Sequence, residues 1–65
     1  MIMIRNNKVL IEDFDNVILI SEDRVILQYK DRKITLEGTG LHVCLYSEEQ
    51  IVLSGKTGVI RFEEH

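Results

Sequence analysis

Two side chains able to hold a metal or act on a substrate stand two residues apart, at His42 and Cys44. On an extended strand that spacing puts both on one face, where they could share a zinc ion or pair as thiol and base. Either chemistry needs more partners. A structural zinc site takes four ligands, usually as two spaced pairs, and no second pair exists. The only other histidine, His65, ends the chain and reads as a tag remnant as readily as a native residue. A cysteine nucleophile needs a base, an orienting group and a pocket, and nothing in the chain marks the last two. Acidic residues come in pairs, Glu12-Asp13, Glu22-Asp23, Glu48-Glu49 and Glu63-Glu64, each beside an apolar run. That is the place of solvated turn carboxylates rather than of a general acid and its base. Gly38-x-Gly40 and Gly55-x-x-Gly58 have the look of phosphate loops, but no helix follows to present its amides to an anion. Gly38 or Gly40, and Gly55 or Gly58, are expected instead to hold positive φ in tight turns. The reading is no catalytic residue, no cofactor, no metal, and hence no enzyme.

The elements that must carry these residues are short strands. Proline is absent, and seven apolar runs stand out, at residues 8–12, 16–20, 24–30, 33–37, 41–46, 50–54 and 58–62. Small polar links separate them, which is the signal for strands joined by hairpins. No run is long enough for a helical apolar stripe. The chain also resembles itself. Leu19-Ile20-Ser21-Glu22-Asp23-Arg24-Val25-Ile26-Leu27 lies over Leu45-Tyr46-Ser47-Glu48-Glu49-Gln50-Ile51-Val52-Leu53, at an offset of 26 (45 − 19). Lys8-Val9-Leu10-Ile11-Glu12 lies over Lys33-Ile34-Thr35-Leu36-Glu37, at an offset of 25 (33 − 8). Two architectures fit. A short β-solenoid would make each copy one coil, but such stacks need about three repeats to bury a core. An antiparallel β-sandwich would make each copy a three-stranded meander with the two apolar faces packed together. The short links favour the sandwich.

Length allows one domain, residues 1–65, with a marginal core: a chain this short buries only about 60% of its unfolded surface. The lone Cys44 permits no internal disulfide and suits a reducing compartment. Hydrophobic residues at 45% and charged residues at 29% describe a folded chain. No apolar run approaches the roughly 20 residues of a membrane span, so direct insertion is not expected and the cytoplasm is the default. The abrupt opening Met1-Ile2-Met3-Ile4-Arg5 suggests a segment cut from a longer chain. A formal net charge of −3 argues against nucleic acid, whose binders gather basic residues on one face. Alternation places Val9, Ile11, Val25, Leu27, Ile34, Leu36, Leu41, Val43, Leu45, Ile51, Leu53, Ile60 and Phe62 on inner faces. That leaves Leu10, Ile18, Ile20, Ile26, Cys44, Tyr46, Val52 and Val59 outside, and of these Ile18, Ile26, Tyr46 and Val52 are the candidate interface. Their expected occupant is another protein or a second copy of the chain.

Taken in order, Ile11-Glu12, Val17 through Val25, Ile34-Thr35-Leu36-Glu37-Gly38, Leu41-His42-Val43, Glu48 through Gly55 and Val59-Ile60-Arg61-Phe62 resemble the YabP/YqfC family of sporulation proteins, closest to its YqfC side. The likeness covers nearly the whole chain and consists of strand and glycine patterns. The chain departs from the family pattern at Asp13 and at Lys56-Thr57-Gly58. The resemblance implies a non-enzymatic protein of the endospore-forming mother cell, with a sporulation membrane protein as a partner. A rival of another class is a small Sm-like RNA-binding β-barrel, since residues 11–19 are similar to that family's first motif. The acidic balance and the lack of a second motif or a leading helix oppose it.

Overall fold

The computed structural model describes residues 1–5 and 7–64; Asn6 and His65 lie outside the described residues. The protein is all-β. Its strands are β1 (Ile2–Arg5), β2 (Lys8–Glu12), β3 (Asn16–Ile20), β4 (Arg24–Tyr29), β5 (Arg32–Tyr46) and β6 (Gln50–Glu64). Seven short strands were expected, and the difference has a simple cause. The chain does not turn at Gly38-Thr39-Gly40 or at Gly55-Lys56-Thr57-Gly58 but bends there and stays extended. Four expected strands thereby fuse into β5 and β6, and β1 is added at the front.

All six strands form one sheet in the order β1-β2-β6-β5-β4-β3, and every pairing is antiparallel. Solenoid coils stack in parallel, so that alternative is set aside. Nor are there two separate sheets. A straight strand of 15 residues would reach about 50 Å, whereas the molecule measures 27 × 21 × 19 Å. The β5–β6 hairpin is therefore folded over, and the sheet lies against itself. One half-sheet holds β1, β2, residues 50–54 of β6 and 41–46 of β5; the other holds residues 59–64 of β6, 32–37 of β5, β4 and β3.

Three irregularities make the bend. Gly58 is an extra residue on β6, because Glu37 pairs with Val59 and Gly38 with Thr57. Gly40 and Leu41 together oppose Gly55, and Cys44 is extra between Val43–Leu53 and Leu45–Val52. Bulges of this kind kink a strand and raise its twist. Gly40 and Gly55 hold positive φ, 62° and 117°. Gly38 has an ordinary φ, but a Cβ there would collide with the Lys56 carbonyl oxygen; at Gly55 it would meet the Gly40 carbonyl oxygen. The close crossing of two backbones excludes a side chain at both sites.

The internal repeat is a structural one. The register Val17–Leu27, Leu19–Ile26, Ile20–Val25 returns as Val43–Leu53, Leu45–Val52, Tyr46–Ile51, with the bulge at Ile18 matched by that at Cys44. Ser21 donates its amide to the Arg24 carbonyl at 2.8 Å, as Ser47 does to that of Gln50 at 2.9 Å. In each turn the serine hydroxyl also accepts from the later amide, Arg24 at 3.1 Å and Gln50 at 3.2 Å. Yet neither copy is a meander by itself. The first strand of each crosses over: β2 pairs with β6 of the second copy, and residues 32–37 of β5 pair with β4 of the first. The two copies are thus interlocked.

Between the half-sheets lies the core. Ile11, Val25, Leu27, Ile34 and Ile51 are fully buried, and Val9, Phe14, Leu36, Leu41 and Leu53 nearly so. Both half-sheets contribute, which complete burial requires, since neither could cover its own face.

A glycine series tests the bend. Gly38→Ala and Gly55→Ala should each destabilise by at least about 2 kcal/mol in urea unfolding, through collision and, at Gly55, backbone strain. Gly40→Ala, whose Cβ would enter open space, should cost only about 1 kcal/mol for its left-handed φ. Equal midpoints for the three variants would contradict the crossing described here.

Candidate functional site

The structure distributes the four residues of the candidate interface. Ile26 pairs with Leu19 and Thr35 on the outer face of the second half-sheet. Val52 pairs with Leu10 and Leu45 on the outer face of the first. Ile18 is the bulged residue of edge strand β3, and Tyr46 ends β5 with its ring 6.1 Å from that of Phe14. Inner faces oppose one another across the core, so the outer faces of Ile26 and Val52 point apart. The four form no single surface.

Strict alternation fails at one point, and the consequence is local. Counting by twos along 41–46 puts Leu45 inside and Tyr46 outside. The extra residue at Cys44 shifts the count by one and exchanges them, because a one-residue slip moves side chains to the opposite face. Leu45 now lies in register with Val52 and is 46% exposed; Tyr46 lies in register with core Ile51 but, at the strand end, stays 57% exposed. Phe62 keeps its inward register opposite Ile34 but is 52% exposed. Its stretch of β6 is a sheet edge, with no strand on its far side among the described residues.

With Leu45 turned outward, a surface emerges that no residue reveals alone. Met3, Leu10, Val52 and Leu45 are in register across all four strands of the first half-sheet, and form one continuous apolar row on its outer face. Met3 and Leu45 are each nearly half exposed; Leu10 and Val52, in the middle, are half-buried by their neighbours. Sequence reading finds Leu10 and Val52 but misses Met3 and Leu45. Finding them needs β1 as a strand and Cys44 as a bulge, and neither leaves a local signature.

The polar candidates have quieter surroundings. His42 and Ser54 are paired across β5 and β6, with the Ser54 hydroxyl 2.6 Å from Nε2 of His42. A serine beside an imidazole is the beginning of a nucleophile and base. Among the described residues no carboxylate bonds that ring, and the pair stands on an open sheet face. Cys44 is exposed and free. Among the described residues no group of three or more His, Cys, Asp or Glu side chains is placed to hold a metal ion. Among the described residues, one open depression is lined by Ser21, Glu22, Asp23, Gly38, Thr39 and Gly40, and another by Tyr29, Lys30, Asp31, Arg32 and Phe62. Both are corners where strands turn. In the first, the Asp23 carboxylate accepts from the Ser21 hydroxyl at 2.8 Å, and its carbonyl accepts from the Gly38 amide at 3.1 Å. No helix among the described residues is long and apolar enough to cross a membrane.

A pair of variants checks the inverted face. Leu45→Lys should leave the fold within about 1 kcal/mol of the parent, as at other surface sites. Val43→Lys, which puts a charge against the core, should cost several times more. The reverse order in thermal unfolding would restore simple alternation through Cys44.

Comparison with family models, with curated proteins and with solved structures returns no match for this chain.

Proposed function

We propose that this chain is a non-enzymatic protein-interaction module of the endospore-forming machinery, working through the outer face of its first half-sheet. The observation that carries the interaction is the row of Met3, Leu10, Val52 and Leu45. Scattered exposed apolar residues mean little, but a connected set across four strands is what marks a contact surface. The setting rests on the resemblance to the YabP/YqfC proteins. It places the chain in the mother-cell cytoplasm, held near a membrane through a sporulation membrane protein rather than by insertion of its own.

The chemistry available on the surface supports the same reading. A binding face needs shape and apolar area, and the stiff sheet provides both. Catalysis needs groups converging on a reacting atom in a water-poor pocket. The His42–Ser54 pair is the nearest approach to that, and it lies flat on the open sheet.

Val52→Lys in a spore-forming cell that depends on this protein is the test. The substitution should cost about 1 kcal/mol or less in stability and leave the circular dichroism unchanged, while spore formation falls sharply. Ile26→Lys, at the matching position on the other outer face, should be tolerated. A folded Val52→Lys protein that supports normal spore yield would overturn the proposal. So would a salt-sensitive shift of oligo-RNA by the parent protein, which would favour the Sm-like reading.

A further inference from the structure

The outer face of the first half-sheet is polarised along its strands. On one side of the apolar row stand Arg5 and Lys8 beside Ser54 and His42. On the other stand Glu12 and Gln50, leading into the turn that holds Glu48 and Glu49. Asp13 joins the acidic end, its amide donating to the Glu49 carbonyl at 2.9 Å. The row is the midline of this arrangement. Lys8 comes two residues before Leu10 and Glu12 two after it; Gln50 and Ser54 flank Val52 in the same way.

A two-fold axis running along the row would lay Lys8 of one copy over Glu12 of the next, and repeat that pair on the other side. Gln50 would meet Ser54, and each apolar residue would meet its own counterpart. We infer that this face pairs with itself, so that the partner on it is a second copy of the chain, stacked sheet on sheet. Such a contact is isologous and closes at two copies. Face-to-face sheets lie about 10 Å apart, a gap that side chains from both rows fill.

The other outer face shows what the arrangement lacks elsewhere. Its matching row is Leu19, Ile26, Thr35 and Arg61. The same two-fold there would set Arg61 against its own copy, a like-charge contact that disfavours pairing. Glu37, bound to Arg61 at 3.1 Å, offsets that charge only in part. Lys33 and Glu37 flank Thr35 as Lys8 and Glu12 flank Leu10, so what sets the first face apart is its unbroken apolar row and not its flanking charges.

Size sets the strength. Four strands by five residues give a footprint of about 19 × 16 Å, roughly 300 Å² a side, well below the roughly 800 Å² a side of a standard specific interface. The dimer is accordingly weak and seen at high concentration. The inference rests on the proposal that this face is the interaction surface, and names its occupant.

Sedimentation equilibrium of the full chain, from micromolar to millimolar, decides it. The parent should pass from one to two chain masses. Val52→Lys should raise the dissociation constant about tenfold or more. Lys8→Glu and Glu12→Lys should each weaken the dimer by about tenfold, since each sets like charges opposite twice, and the double exchange should restore it. Circular dichroism confirms that each variant is folded. A parent that stays monomeric throughout overturns the inference. So does a dimer indifferent to Val52→Lys but lost in Phe62→Lys, which would place the contact at the open edge of β6. Failure of the double exchange to restore pairing overturns the two-fold. A monomeric parent whose Val52→Lys variant still loses spore formation ends self-pairing alone. A dimer broken by that change with spore yield intact ends the sporulation proposal alone.

Discussion

A single six-stranded sheet has two faces, and the described residues provide nothing else to cover either. The chain covers one face with the other half of the same sheet, and this is possible only because β5 and β6 cross the fold together and bend. Everything downstream depends on that crossing. Gly38 and Gly55 let the two backbones approach closer than any Cβ would allow, and the bulges at Gly58, Gly40-Leu41 and Cys44 convert extra residues into curvature. Once the hairpin is bent, Leu36 and Ile34 on one side face Ile51 and Leu53 on the other, and the core closes. No disulfide assists, so the bend and the apolar contacts it creates are the main tertiary constraint, joined by hydrogen bonds such as that from the Leu41 amide to the Glu22 carbonyl at 2.8 Å.

Interlocking of the two repeat copies follows from the same geometry. Each copy gives its first strand to the other's half-sheet, so β2 pairs with a stretch of β6 some forty residues along the chain. Neither copy buries a face without the other. A fold of this kind is built on distant pairings, which must be assembled before they reward the chain, and such topologies fold slowly. Gain of stability and delay in folding here have one source, the exchange of strands between copies.

Much of this was legible in the residues, for identifiable reasons. Strand content showed in the β-branched runs, and the repeat showed in Leu-x-Ser-acid-acid, because the Ser21 and Ser47 turns need the same hydroxyl at the same place. The inner residues of β2 and β4 were legible because those strands alternate without interruption. What escaped has a common cause. A glycine-rich stretch is written the same way whether the chain reverses or bends while staying extended, so β5 and β6 were read as four strands. A bulge leaves no mark of its own, so the count from Leu41 to Tyr46 went wrong at Cys44, and with it the facing of Leu45. Strand β1 was missed because an edge strand of four residues is too short for alternation to speak. The apolar row needed both corrections, which is why its central pair was visible and its ends were not.

Near two-fold repetition also offers a way to separate what the fold requires from what it merely permits. Positions related by the repeat occupy the same place in their half-sheets and bear the same structural demands. Leu10 corresponds to Thr35, and Met3 to Arg61. At the Thr35 position the fold is satisfied by a hydroxyl-bearing side chain, and at Arg61 by a charge. Packing therefore does not oblige Leu10 or Met3 to be apolar, and intrinsic strand preference does not either, since Thr is as good a strand former as Leu. Where one member of a related pair is polar and stable, an apolar residue at the other is surplus to folding. Leu10 and Met3 complete an unbroken row on the first face, with opposite charges on its two flanks. That placement points outward, to whatever the face meets.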